Sequence, residues 1–119
     1  MNHLIVNLRQ SIYPARMSVV VFDDYKLAHK AVFKRDDTND HKAVFIADPP
    51  KFWVFLYWNL PTDAVAHECF HMTVDVMEWL GFQVGKNHEP AAYLHGWIFG
   101  RAHRAMLKFG EMTGRLGAF

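Results

Sequence analysis

The run A64-V-A-H-E-C-F-H-M-T-V-D-V-M-E-W-L-G81 places His67 and His71 four residues apart with Glu68 between them. On an α-helix each residue turns the side-chain direction by about 100°, so two histidines at this spacing share a face one turn apart. The pattern therefore demands a helix with one polar, histidine-bearing face and an apolar remainder that must be buried. It also sets two imidazoles close enough to share a tetrahedral metal ion, with the Glu68 carboxylate beside them to take a proton from a metal-bound water. The competing reading is structural: two helix histidines with ordinary hydrogen bonds above a core stripe of Val65, Phe70, Val74, Met77 and Leu80.

A helix of this kind needs partners, and 119 residues supply one domain, residues 1–119, with a single core. Half the residues are hydrophobic, with 4 Trp and 10 Phe, which excludes a disordered chain. Thirteen basic residues against 12 acidic ones leave a net charge of +1, with only a modest basic cluster from Arg101 to Arg115, so there is no strong nucleic-acid signal. The one cysteine, Cys69, has no partner for an internal disulfide and suits a reducing compartment. The first ten residues lack a signal-peptide pattern, and the longest apolar run, F52-W-V-F-L-Y-W58, is too short to span a bilayer. These features lead us to expect a cytoplasmic protein with no membrane attachment.

The elements read as follows. His3 to Leu8 and S18-V-V-V-F22 are strands, the second closed by Asp23-Asp24; Leu27, Ala28, Ala31 and Val32 recur at helical spacing between Tyr25 and Lys34. K42-A-V-F-I-A47 is a strand ended by D48-P-P50, and F52 to W58 is another, apolar on both faces. Asn59 or Thr62 would cap the next helix, with Pro61 in its first turn and Gly81 at its end. After a connector, Asn87 would cap a last helix running to about Lys108, with glycines 110, 114 and 117 fraying its tail. The order strand, strand, helix, strand, strand, helix, helix makes an α+β domain.

Catalytic zinc takes three protein ligands and leaves a fourth position open. Glu89 is the candidate third ligand, because a helix returning antiparallel past Gly81 can bring its first turn beside the histidines. Tyr93 lies one turn further on, Gly96 and Gly100 would let the helices approach, and Trp97 would wedge the contact. Capping is the simpler role for Glu89, since an acid in a first turn is stabilised by the helix dipole regardless of metal. Asp75, one turn after His71, can hydrogen-bond a ligand histidine from behind. Cys69 points away from the ligand face as a small buried residue.

H67-E-C-F-H71 followed by N87-H-E-P-A-A-Y-L-H-G-W97 resembles the gluzincin branch of zinc metallopeptidases in a minimal form, similar to small phage- or prophage-encoded metallopeptidases, over about the last sixty residues. The resemblance implies zinc held by His67, His71 and Glu89, Glu68 as general base, and a small, mostly antiparallel or mixed sheet packed on the HExxH helix and the C-terminal helix. It further implies a peptide or protein substrate and, for a phage-encoded chain, the host cytoplasm. Where gluzincins often carry an acid one turn after the third ligand, this chain has Tyr93, which can donate to an oxyanion but cannot fix an imidazole tautomer as a carboxylate does. His88 and His95 are further oxyanion candidates, each equally readable as an ordinary helix residue, and His103 sits on a basic face with Arg101 and Arg104. F52 to W58 would offer an edge to an extended peptide. The alternative function is a non-catalytic binding or inhibitor protein in which zinc pins two helices together. Oligomeric state is open.

Overall fold

In the computed structural model, which describes residues 2–115, a four-stranded sheet carries a helical hairpin on one face and a short helix on the other. The elements are β1 (His3–Leu8), β2 (Arg16–Phe22), α1 (Tyr25–Phe33), β3 (Ala43–Asp48), β4 (Lys51–Tyr57), α2 (Thr62–Trp79), a single 3-10 turn (Val84–Lys86) and α3 (His88–Thr113). The protein is α+β, with a mixed sheet of order β1-β2-β4-β3. β1 pairs antiparallel with β2, β2 parallel with β4, and β3 antiparallel with β4.

Alternation along the strands divides the core in two. Met17, Val19, Val21, Phe52, Val54 and Leu56 face α2 and α3, where they meet Cys69, Met72, Val76, Ile98 and Phe109. Val20, Phe22 and Phe55 face the other way and pack under Tyr25 and Ala28 of α1. β4 is central, flanked by β2 and β3, and buries Phe52, Val54 and Leu56 on one face and Phe55 on the other. It therefore offers no edge to a peptide, contrary to the expectation from its sequence; the free edges belong to β1 and β3.

Local chemistry sets the helix ends. Asp24 caps α1 by accepting from the Leu27 N–H. α2 begins after Pro61 without a side-chain cap, so neither Asn59 nor Thr62 has the capping role expected of it. It ends at Trp79, and Gly81 just beyond, with a φ of +91°, lets the Phe82 N–H reach the Met77 carbonyl at 2.9 Å. Asn87 precedes α3 without capping it; its side-chain amide donates instead to the Gln83 carbonyl at 2.7 Å. α3 runs past Lys108 to Thr113, and Gly117 lies outside the described residues. Among the described residues no helix is long and apolar enough to cross a membrane.

Candidate metal site

α2 buries Val65, Cys69, Met72, Thr73, Val76 and Met77 against the sheet and α3. His67 and His71 each stand two residues from Cys69, which puts each about 160° from it around the helix, on the pole facing away from the core. Both side chains are exposed, and their Nε2 atoms lie 3.0 Å apart with the rings nearly perpendicular at 81°. Two arrangements satisfy that geometry: one ring's N–H donates to the other's lone pair, or both lone pairs point at a shared cation. A tetrahedral zinc with bonds of 2.0–2.1 Å separates two nitrogen ligands by about 3.3 Å, so the pair fits two corners of such a site with a small adjustment.

Glu68 is half-buried on the flank of the pair, and its charge is felt by the neighbouring Cys69. Burial pushes the Cys69 thiol up to about 12, with Glu68 adding to the shift. Cys69 lies on the core face of α2, away from the histidine pair, as its place in the sequence leads one to expect.

The third corner is not assembled. Among the described residues no group of three or more His, Cys, Asp and Glu side chains is placed to hold a metal ion. The packing of the two helices explains where Glu89 goes. Phe70 of α2 meets His95 of α3 with ring centroids 5.6 Å apart, which fixes the level at which the helices pass. Glu89 lies six residues before His95, about 9 Å along the axis toward the connector and so away from His67 and His71. It also stands nine residues before the buried Ile98, about 180° around the helix, and is exposed on the outer pole of α3. In this position its carboxylate serves the first-turn dipole role.

The other expected site residues are also dispersed. Tyr93 is 77 % exposed and lines a cleft with Ile12, Tyr13 and Trp97 on the flank of α3 that faces the β1–β2 loop, away from α2. Trp97 therefore packs toward that loop and not as a wedge between the helices. Gly96 and Gly100 look into open space, since a Cβ on either would meet nothing within 4 Å, so they mediate no close approach. Asp75 is exposed and makes no hydrogen bond or ion pair with His71. His88 is exposed at the start of α3, and His103 stacks on Phe99 at 6.3 Å. His95 is the histidine that the helix packing brings toward α2, through Phe70; its Nδ1 is shielded from solvent and has no hydrogen-bond partner among the described residues. Of the core stripe read from the sequence, Val65 and Met77 are buried, Val74 and Leu80 are half-buried, and Phe70 is 50 % exposed beside His95.

Sequence reasoning missed a second histidine constellation, built across α1 and the following loop. Tyr25 donates its hydroxyl to Asp37 Oδ2 at 2.7 Å, and the Nε2 atoms of His29 and His41 both stand 3.9 Å from that oxygen. His29, 6 % exposed, also bonds through Nδ1 to the Arg35 carbonyl at 3.1 Å. The Tyr25 hydrogen bond, with help from the Asn39 N–H, lowers the Asp37 pKa; burial, together with Asp37, raises that of Tyr25. The four residues are scattered over 17 positions with no motif spacing; the only advance signal was a run of acids in the loop after a histidine-bearing helix.

Comparison with known protein families, with curated proteins and with solved structures finds no match to this chain.

Proposed function

We propose that the chain binds zinc through His67 and His71 and uses it to hydrolyse a peptide bond, with Glu68 as general base. The observation that carries this reading is the exposed pair of Nε2 atoms, 3.0 Å apart on α2, with the Glu68 carboxylate on the same helix turn. Bound zinc would supply Lewis acidity and a water of lowered pKa. The imidazoles would hold two of its corners, Glu68 would take up the proton of its water, and the exposure of the pair leaves room for a substrate carbonyl. Glu89 would complete the set only if the first turn of α3 rotated and moved along α2.

The second reading is a non-catalytic zinc-dependent binding protein. It is favoured by the position of the pair on an outer helix surface, where among the described residues no third His, Cys, Asp or Glu side chain is placed to complete a metal-binding group. There the remaining corners are open to a donor from another molecule.

Metal quantification on purified protein, followed by a peptide-substrate screen of wild type against Glu68→Gln, separates the two. Hydrolysis predicts one zinc per chain in both proteins and a loss of activity of roughly 100-fold or more in the variant. Equal activity in both sinks the catalytic reading. Unchanged zinc content in His71→Ala sinks the ligand pair itself.

A further inference from the structure

The face of the sheet opposite the histidine helix holds an open cleft of about 520 Å³ that neither α1 nor the helical hairpin fills. α1 is only nine residues long and ends at Phe33, so it covers the sheet over Val20, Phe22 and Phe55 and leaves the far end of the strands bare. The strand register determines what stands there. Asn7, Ser18 and Trp53 form one row across β1, β2 and β4; two residues along, Arg16 pairs with Lys51, and Arg9, the residue after the end of β1, lines the cleft with them. Arg9, Arg16 and Lys51 thus line one side of the cleft, and Asn7, Ser18 and Trp53 line the next.

All three cations are exposed, and among the described residues none of their side chains makes an ion pair or hydrogen bond. Asp48 stands opposite Lys51 in the β3–β4 register, but no ion pair closes between them. Three like charges around one cleft repel one another, and the Asp48 carboxylate opposite Lys51 offsets that repulsion only in part. The rim is nevertheless ordered. Gln10 accepts from the Ile12 and Tyr13 N–H groups and donates to the Tyr13 and Ala15 carbonyls, which pins the loop between Arg9 and Arg16. Ser18 donates to Asn7 Oδ1 at 2.9 Å, which leaves the Asn7 amide N–H groups as donors toward the cleft. Trp53 contacts Phe33 edge-on at 4.8 Å and is otherwise half-exposed beside the cations.

We infer that this cleft binds a small organic polyphosphate of the nucleoside triphosphate class, its phosphates on Arg9, Arg16 and Lys51 and its ring against Trp53. Guanidinium groups match phosphate oxygens in pairs, and the row spans only two strand spacings, about 10 Å, the reach of a short polyphosphate. A nucleic-acid strand needs a longer cationic track than the three cations lining this cleft.

The test is calorimetric titration of the full chain with adenosine triphosphate, inorganic triphosphate and a twelve-nucleotide single strand. Adenosine triphosphate binds one per chain, and Arg16→Gln and Lys51→Gln each weaken it about tenfold or more while melting as wild type does. Inorganic triphosphate binds severalfold more weakly, and Trp53→Leu removes that difference. His71→Ala binds the nucleotide as wild type does, which separates this cleft from the proposed zinc site. Absence of saturable nucleotide binding, or binding indifferent to Arg16→Gln, overturns the proposal. Inorganic triphosphate binding as tightly as the nucleotide overturns the organic ligand, and tighter binding of the oligonucleotide overturns the small one.

Discussion

The His67/His71 pair and the Tyr25–Asp37 cluster use the same side chain in opposite ways. On α2 two imidazoles meet each other on an exposed helix pole with no carboxylate bonded to either. Beneath the loop after α1, His29 and His41 converge on Asp37, whose oxygen already accepts from Tyr25. The first arrangement leaves both side chains open to solvent, as the proposed zinc-binding role requires. The second has its polar groups committed to one another, as a group that closes a loop over a core must. A histidine's neighbours thus separate the two roles where its helical spacing does not.

The contrast breaks most severely at the floor of the second cluster. Phe55 is fully buried and touches Tyr25, His29 and Phe33. Phe55→Ala is expected to cost about 3–5 kcal/mol by chemical denaturation while leaving the proposed zinc binding at His67 and His71 unchanged in whatever fraction remains folded. Tyr25→Phe removes only the hydroxyl bond to Asp37 and should lower the melting temperature at neutral pH by roughly 3–5 °C. The sign with pH follows from the lowered Asp37 pKa. The folded state holds the carboxylate ionised more readily than the unfolded chain does, so its contribution is present above the ordinary carboxylate range and fades as pH falls through and below it. Melting curves from neutral to acid pH should therefore converge for wild type and Tyr25→Phe; a gap that stays constant would refute the cluster's role. The smallest effect sharpens the other side. Without zinc, the double variant His67→Ala/His71→Ala should stay within about 0.5 kcal/mol of wild type, because both rings are exposed and bonded only to each other. A larger loss would make the pair structural.

Much of the fold was legible because its cues are local. The β-branched and aromatic run S18-V-V-V-F22 with its Asp23-Asp24 turn, the proline pair after Asp48 and the helical stripe up to Gly81 each act within a few residues, and each element lies where those cues place it, to within a few residues. The candidate site was legible only as far as one helix turn reaches. His67, Glu68 and His71 hold the relation their spacing dictates, whereas joining them to Glu89 required the axial offset and rotation of α3 against α2. That offset is fixed by packing such as Phe70 on His95, which no spacing in the sequence encodes.

The sequence alone determined that this chain makes an α+β domain with a histidine pair on one helix face, because periodicity and turn chemistry are properties of neighbouring residues. Only the tertiary structure decided that F52 to W58 is a central strand, that Glu89 and Tyr93 face away from the histidines, and that Arg9, Arg16 and Lys51 line one cleft. Those are relations between distant segments, set by strand register and by which helix face the core claims.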